Sequence, residues 1–533
     1  MPGPLDYKRY KHGCDPHDIP MKHYFDISAG IRGSDRGHEA AIEYHKRISP
    51  LLETPAGTLQ VAKEGFEIAE QTRQELAWQL GCEPRNIFFG NSATRALIPI
   101  FLSLGRRESY KLIASELEFS ALQRLVVGGQ ESLEETITRQ NYGELGDNKN
   151  LRNFDDIGRL SEFRAKMGIQ FITSLKLQGQ FGKVKDEGLQ ILYFSHTDRS
   201  SGIVAAKIYN TNALGLGEGE VILIVDASHT IGARGFRALN LGDIVIMNSS
   251  KTLGGEPTIG ICYVNDKALS ILEKELPKTE WPRIAFQFSP ETLLGIRSAT
   301  DATACTNWIS LPELFSLNSV FDNLDIREKI ERMEKLEFYI RGAITVLHAN
   351  CKSISFHDTS MNRTPNIVHF VLVPKKGYDP SERFIQLLQP YVINYETFFA
   401  NTISPEAGVC GPMGLGNEEN RNVHRFRISW SAEHTLEYAG GLCRKIADAL
   451  DEVYSKQTRK SLESYERIFL MHSKREAIAA IDSETDRSVK VAIAAFHPDF
   501  IVRKVTQEKI KDTLNKEESD AIRMGELRVV AGI

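Results

Sequence analysis

Four strand-like runs in the middle of the chain constrain its fold most. They span residues 189–194, 221–225, 244–247 and 259–264, and they are short and rich in apolar, mostly β-branched or aromatic, side chains. Upstream, strand-like and helical patterns alternate between residues 86 and 127. Strands that alternate with helices are typical of a mostly parallel sheet with helices on both faces. The sequence therefore predicts an α/β fold.

Two of these runs are followed by residues with reactive side chains. Asp226 directly follows residues 221–225, and Lys251 follows residues 244–247 after three polar residues. Ligands gather at the carboxyl ends of parallel strands. A lysine amine there can condense with the aldehyde of pyridoxal phosphate (PLP), and a carboxylate can keep the pyridine nitrogen of that cofactor protonated. Together the two residues predict a PLP enzyme, whose cofactor ring stabilises a carbanion at the substrate carbon.

The length of the chain predicts more than one domain. A chain of 533 residues is too long for one compact core. Residues 1–38 are interpreted as an N-terminal arm, residues 39–324 as a large PLP-binding domain and residues 325–455 as a smaller C-terminal α/β domain. Residues 456–533 form a C-terminal extension whose role the sequence does not indicate.

Composition argues against several classes of function. A formal net charge of −5 gives no reason to expect nucleic acid or an anionic membrane as a partner. No apolar run approaches the roughly 20 residues of a membrane span, and no apolar signal region is recognised at the N-terminus. Seven scattered cysteines without a Cys/His cluster favour free thiols, no metal site and a cytoplasmic location.

The chemistry-bearing motifs also occur in a recognisable order. They are Asn91-Ser92-Ala93-Thr94, Ser195-His196-Thr197, Val225-Asp226-Ala227-Ser228-His229, Asn248-Ser249-Ser250-Lys251 and Arg427-Ile428-Ser429. With these motifs, residues 23–455 resemble the aminotransferase class V family of fold type I PLP enzymes. That group includes cysteine desulfurases, isopenicillin-N-epimerase-like proteins and kynureninase. The resemblance implies a PLP-dependent homodimer that acts on a small amino-acid substrate.

The resemblance implies a role for each residue of the cofactor site. The phosphate would bind at Ser92, Ala93 and Thr94. Small side chains at a helix N-terminus suit an anion, although a plain helix cap has the same residues. Asp226 would pair with the pyridine nitrogen, and His229 would hydrogen-bond the ring oxygen or Lys251. A capping aspartate and a packed histidine are the alternative explanations for these two residues.

Four positions depart from the pattern of the family. Arg199 stands where the family has an asparagine; it could stabilise a charged ring oxygen, bind a substrate carboxylate or point away. Phe119 replaces a histidine of the desulfurases, so it can stack on the ring or join the core but cannot transfer a proton. Asn248 and Ser250 replace a serine and a histidine, and both can still donate to the phosphate.

Arg427 is the residue that the resemblance assigns to the α-carboxylate of the substrate, through a two-point guanidinium contact. Arg425 is the competing candidate, because alternate positions of a strand face the same side. A surface ion pair is the other explanation for Arg427. Ser298 or Thr300 would reach the phosphate across a dimer interface, and the sequence does not decide between them.

Cys410 separates the candidate reactions. It lies 17 residues before Arg427 in a glycine-flanked loop, near where some desulfurases keep a nucleophilic cysteine. Phe119, His229 and Ser250 favour a transaminase- or epimerase-like reaction through a carbanion at Cα. A cysteine desulfurase or C–S lyase that uses Cys410 is the alternative. A non-catalytic binding module with the same fold is a third, more remote possibility.

Overall fold

The computed structural model describes two sheets, the helices packed on them, and part of the N-terminal arm. The described residues are 20–29, 33–90, 93, 110–114, 189–197, 202, 204, 221–234, 240–257, 259–275, 310–320, 326–351, 354–355, 364–372, 381–399, 422–515, 518–519 and 522. All structural statements below concern these residues.

The larger sheet has six described strands in the order β1-β6-β5-β4-β3-β2. The strands are β1 (Ile87–Gly90), β2 (Tyr110–Ala114), β3 (Leu189–Ser195), β4 (Val221–Asp226), β5 (Ile244–Asn248) and β6 (Gly260–Val264). Strands β2, β3, β4 and β5 run parallel to one another, whereas β6 is antiparallel to both β5 and β1. The prediction of a mostly parallel sheet is therefore confirmed, and β6 is its reversed strand.

Both faces of this sheet are buried, as its nearly continuous apolar strands require. Ile222 and Ile224 on one face, and Val225 on the other, are fully buried. Four described helices accompany the sheet: α1 (Asp35–Ile48), α2 (Pro55–Leu80), α3 (Asp266–Glu275) and α4 (Leu311–Ser319). Side chains of α1, α2 and α4 share one apolar core with the Val225 face of the sheet.

Capping residues determine where the first two helices begin. The Ser34 side chain accepts a hydrogen bond from the Gly37 amide at the start of α1. Helix α2 begins at Pro55, behind the Thr54 cap, and ends at Gly81, whose φ of 63° is the left-handed conformation common after helices. The apolar spacing of residues 58–80 and the glycine at position 81 predict this helix to within three residues of its observed start, because both signals are local.

The smaller sheet is antiparallel throughout its described strands, in the order β7-β8-β10-β9. Its elements are α5 (Ile326–Asn350), β7 (Ile354–Ser355), β8 (Ile367–Leu372), α6 (Ser381–Leu387), β9 (Asn394–Phe399), β10 (Asn422–Ser429) and α7 (Leu436–Tyr454). The apolar pattern of residues 391–395 predicts a strand there, but strand β9 begins three residues later, at Asn394. The reason is that Val392 pairs with the N-terminal arm instead of with β10.

The described part of the N-terminal arm lies against the end of β10. The pattern of residues 23–27 predicts a short strand, but in the structure these residues form only isolated bridges, Tyr24 to Val392 and Asp26 to Ser429. The Phe25 amide donates to the Val392 carbonyl at 2.8 Å, and the Ser429 amide donates to the Phe25 carbonyl at 2.9 Å. The arm is thus attached to the smaller domain.

The C-terminal extension packs into the core of the smaller domain. It forms α8 (Thr458–Phe469), α9 (Lys474–Ser483), α10 (Arg487–Phe496) and α11 (Phe500–Ile510). Apolar side chains from all four helices join the core that α5, α7 and the smaller sheet form. In addition, the Tyr339 hydroxyl of α5 donates to the buried Glu466 carboxylate of α8. The four helices are therefore built into the smaller domain.

Candidate active site

The candidate site lies at the carboxyl edge of β3, β4 and β5, where parallel register brings three strand ends together. Ser195, the last residue of β3, pairs in register with Asp226, the last residue of β4. Asp226 in turn pairs with Ile246 of β5, and Lys251 follows that strand after a short turn. Because the three strands run in one direction, the polar residues after them meet at a single edge.

Lys251 and His229 are in direct contact. Lys251 Nζ lies 2.7 Å from His229 Nε2, although the two residues follow different strands. Gly232, with a φ of 78°, allows the turn after β4 to pack against the turn after β5. A Cβ at this position would come within 3.0 Å of the Thr252 and Leu253 backbone. A hydrogen bond of 2.7 Å joins the two nitrogens, so a proton can pass between the two groups.

Asp226 is held by hydrogen bonds to both of its carboxylate oxygens. The Ser228 amide donates to Oδ1 at 2.8 Å, and the Tyr193 hydroxyl donates to Oδ2 at 3.4 Å. Asp226 therefore caps the following turn through Oδ1, as the alternative explanation expected. The Tyr193 hydroxyl orients the other oxygen, Oδ2. Sequence reasoning missed Tyr193, although its place two residues before Ser195 on β3 puts it near the same edge.

Asn248 and Ser250 close the turn that presents Lys251. The Asn248 Oδ1 atom accepts hydrogen bonds from the Ser250 amide at 2.8 Å and from its hydroxyl at 2.7 Å. In this arrangement the Ser250 hydroxyl donates its proton to Asn248. Donation from Ser250 to a phosphate therefore stays a prediction. Beyond Lys251, Gly254 has a φ of 86°, and its carbonyl accepts from the Ser34 amide at 2.8 Å.

A second buried network fixes the loop after β3 on the turn after β4. His196 Nδ1 lies 2.9 Å from Thr230 Oγ1, and Thr197 Oγ1 lies 2.7 Å from the same atom. The His196 amide also donates to the Asp226 carbonyl at 2.8 Å. Thr230 was not predicted as a site residue; its position directly after His229 was the only signal in the sequence.

Arg427 forms a buried ion pair with the N-terminal arm. Its Nη2 atom donates to Asp26 Oδ1 at 2.7 Å, with 9% of Arg427 and 2% of Asp26 exposed. Phe426 and Ile428, on either side of it in the strand, lie in the apolar core, as strand alternation predicts for Ile428. The Arg425 side chain lies outside the described residues. Asp26 is a partner of Arg427 that sequence reasoning missed, because 401 residues separate the two.

The other predicted site residues lie mostly outside the described part of the chain. Ala93 is described, half-buried and helical. Ser92, Thr94, Phe119, Arg199, Ser298, Thr300 and Cys410 lie outside it. Their proposed roles remain predictions.

The donor set at the sheet edge fits PLP. Lys251 supplies an amine with a base beside it, and Asp226 supplies an oriented carboxylate. The buried Ser228 hydroxyl, next to both Asp226 and His229 in the chain, has no hydrogen-bond partner among the described residues. An orphaned buried hydroxyl is uncommon and is consistent with a polar ligand at this edge.

The described cysteines are free thiols, and none of those with a shifted pKa is activated. Burial, with the nearby Glu83 charge, raises the pKa of Cys82 to about 11, and burial also raises the pKa of Cys262 and Cys443. A nucleophilic cysteine requires the opposite shift. Within the described residues, no group of three or more His, Cys, Asp or Glu side chains is placed to hold a metal ion. No described helix combines the length and apolar character needed to cross a membrane.

No protein-family model and no curated protein matches the chain. Solved structures do match. A NifS-like protein matches with a TM-score of 0.53 and 17% identity, over 81% of this chain and 99% of its own. The cystine C–S lyase C-DES, in complex with its product cysteine persulfide, matches with a TM-score of 0.52 and 14% identity, over 82% of this chain and 99% of its own. Ureidoglycine-glyoxylate aminotransferase from Bacillus subtilis matches with a TM-score of 0.52 and 14% identity, over 83% of this chain and 97% of its own.

One further match names the cofactor. It is a C-DES mutant that carries glycine covalently linked to PLP, with a TM-score of 0.52 and 14% identity. At these identities the likeness concerns the fold, and it extends over nearly the whole length of each matched protein. About a fifth of this chain lies outside the shared part. The chain has the fold of the fold type I PLP-dependent enzymes, as the order of its motifs predicts.

Proposed function

We propose that this protein is a PLP-dependent enzyme that acts on an amino acid through a carbanion at Cα, in a transaminase- or epimerase-like reaction. The contact between Lys251 Nζ and His229 Nε2, beside the oriented Asp226 carboxylate, carries this proposal. A lysine and a carboxylate at neighbouring strand ends are the two groups that hold and activate PLP. The fold type I architecture supports the same assignment by analogy.

Each polar residue at this edge of the sheet has a separate role in the proposed reaction. PLP, when bound, supplies an electron-withdrawing ring that stabilises negative charge at the substrate Cα. Lys251 would hold the cofactor and would act as the base at Cα, and His229 would accept or return a proton at Lys251 Nζ. Asp226 would supply the negative charge that keeps a pyridine nitrogen protonated. Asn91 to Thr94, with Asn248 and Ser250, would bind the phosphate.

Arg427 would bind the carboxylate of the substrate. Asp26 holds its guanidinium through Nη2, which fixes the orientation of the fork within the buried site. A planar guanidinium held in one orientation recognises a carboxylate better than a mobile one, because less conformational freedom is lost on binding.

We also propose that the enzyme is a cytoplasmic homodimer without a nucleic-acid or membrane partner. The scattered cysteines and mildly acidic charge support this setting. In a dimer, Ser298 or Thr300 would complete the phosphate site of the neighbouring subunit.

The proposal is tested by loading the purified protein with PLP and following its visible absorbance. We expect a band from the lysine-linked cofactor. Lys251→Ala should lose this band and all turnover while retaining some PLP through the phosphate. Lys267→Ala, at an exposed lysine of α3, is the matched control and should behave as wild type. Cofactor that borohydride still traps on Lys251→Ala would place the attachment elsewhere and remove the central claim.

A product assay with a panel of amino acids separates the reaction types. A keto acid indicates transamination, a racemised substrate indicates epimerisation, and sulfide from cysteine indicates C–S cleavage. We expect little sulfide and nearly full activity in Cys410→Ala. Rapid sulfide release that disappears in Cys410→Ala would establish the desulfurase alternative instead. No product from any amino acid, despite bound PLP, would favour a binding module.

A further inference from the structure

A buried segment of the smaller domain reaches the turn that carries Lys251. Residues 364–366, which we call the connector, lie directly before β8. Asn366 Nδ2 donates to the hydroxyl of Thr252, the residue after Lys251, at 3.1 Å. The Thr364 amide donates to the Gly202 carbonyl at 2.8 Å. The connector therefore touches two loops of the larger domain at the candidate site.

The same connector is bound to the strand that carries Arg427. The Asn366 carbonyl accepts from the amide of Trp430, three residues after Arg427, at 3.2 Å. Ile367 pairs in register with Ser429 of β10. Asn366 thus joins the Lys251 turn, through its side chain, to the end of the Arg427 strand, through its backbone.

The residues that make these contacts are all buried. Asn366 is 1% exposed, Thr364 is fully buried and Thr252 is 3% exposed. The Thr364 hydroxyl donates to Asn366 Oδ1 at 2.7 Å, which fixes the orientation of the amide so that its nitrogen faces Thr252. Gly202 has a φ of 76°, and a Cβ there would come within 3.0 Å of Ile367. The loop at Gly202 is therefore packed tightly against Ile367, the residue that follows the connector.

This arrangement links the turn of Lys251 to the strand of Arg427. In the proposed function, Arg427 binds one end of the substrate while Lys251 acts at its Cα, so the rate depends on their relative position. A misplacement of about 1 Å can cost a hundredfold in rate. A buried, directional hydrogen bond with both partners fixed is the kind of contact that holds such a separation.

We propose that Asn366 is a positioning residue that sets Lys251 relative to the Arg427 strand through its hydrogen bond to Thr252. This role rests on the proposed function. It requires that the bond between Asn366 and Thr252, and not the mere presence of either side chain, determines how Lys251 reacts.

A double-mutant cycle tests the bond directly. The variants are Asn366→Ala, Thr252→Val and the pair together, each as the PLP-loaded full chain. Each single change should lower kcat for the best amino-acid substrate by tenfold to a hundredfold, an order of magnitude typical of lost positioning, with KM changed less than threefold. The pair should cost little more than either single change, because the bond is lost once. Thr252→Ser keeps the hydroxyl and should restore most of kcat.

A second readout does not depend on turnover. PLP added to the cofactor-free protein should develop its visible band more slowly in Asn366→Ala and Thr252→Val than in wild type or Thr252→Ser. Thr506→Val, which removes a buried hydroxyl bonded only within α11, controls for a general loss of stability. It should lower the melting temperature without changing the band kinetics or kcat.

The outcomes separate this role from the function on which it rests. Variants that lose thermal stability but keep wild-type kcat and band kinetics would overturn the positioning role while leaving the proposed function intact. Additive losses in the cycle would do the same. A wild-type protein that never develops the band would overturn both. If Asn366→Ala does not fold, Thr252→Val against Thr252→Ser gives the same decision, because valine and threonine are nearly isosteric.

Discussion

Asp226 and Arg427 are each oriented by a partner that could not be paired with it from the sequence alone. Asp226 receives a hydrogen bond from Tyr193 in addition to the Ser228 amide, and Arg427 is paired with Asp26. A carboxylate or guanidinium with fixed contacts is oriented before the substrate arrives. Electrostatic stabilisation is strongest when the charges need not reorganise during the reaction.

Asp226→Ala should leave the cofactor bound but nearly inactive. The ring nitrogen loses its opposite charge, and this charge matters most as the carbanion forms, so the loss should fall on kcat more than on cofactor affinity. Steady-state kinetics and PLP titration measure the two effects. Near-normal kcat would mean that Asp226 serves only as the cap of the turn that Ser228 begins.

Arg427→Lys should raise KM for the amino-acid substrate by about tenfold or more while leaving cofactor affinity unchanged. Lysine keeps the charge but cannot make the two-point contact of the guanidinium fork. Initial-rate measurements on Arg427→Lys and on Arg425→Lys, its neighbour two positions earlier, provide the comparison. An unchanged KM in the first and a large rise in the second would assign the carboxylate to Arg425.

At the scale of elements, the junction between α10 and α11 contains a buried histidine. His497 is 3% exposed, its Nδ1 accepts the Asp499 amide at 3.1 Å, and its ring lies edge-on to Phe469 of α8 at 5.8 Å between centroids. Burial lowers the pKa of His497 from 6.5 to about 4, and the Asp499 carboxylate opposes this shift. The folded protein therefore keeps this imidazole neutral in mildly acidic solution.

His497 should make the protein less stable as the pH falls from about 6.5 to about 4. In this range the unfolded chain binds a proton that the folded chain does not, so the free energy of unfolding decreases, by about 3 kcal/mol in total. Urea denaturation at several pH values measures the slope. His497→Gln should flatten it, and His472→Gln, at an exposed position, should not. Equal slopes in wild type and His497→Gln would contradict the assignment.

For the molecule as a whole, the extension and the smaller domain form one core. The side chains that the extension contributes to it include Leu462, Tyr465, Ile468, Phe469, Ile481, Val489, Ile493 and Val502. Each large apolar side chain of this kind stabilises a fold by about 1.5–3 kcal/mol when it is buried. Their combined loss would match or exceed the net stability of about 5–15 kcal/mol of a typical domain.

A chain that ends at residue 455 should therefore fail to fold its smaller domain. We expect insoluble protein, or a soluble product with weakened helical circular dichroism and no cooperative melting transition for that domain. A milder cut after residue 522, which keeps α8 to α11 together with the buried Ile522 and the Arg487–Glu518 ion pair, is the control and should melt like the full chain. A cooperative, unchanged transition after removal of residues 456–533 would mean that the extension is a dispensable addition.

The sequence by itself determined the strands of the larger sheet, the helix α2 and the strand ends that carry Asp226 and Lys251. These features are local: they depend on apolar runs, capping residues and side-chain alternation within a few positions. The order of the motifs also sufficed to predict the fold type. His229 was predicted beside the ring oxygen or Lys251, and the structure has it 2.7 Å from Lys251.

Only the tertiary structure decided which distant residues complete the site. Asp26 reaches Arg427 across 401 positions, Asn366 reaches Thr252 across 114, and the extension enters the core of the smaller domain. Such pairs leave no periodic signal, because a hydrogen bond needs only two atoms at the right separation, whatever the length of chain between them. Packing within the smaller domain, and between it and the larger domain, creates these contacts, and packing depends on the whole chain at once.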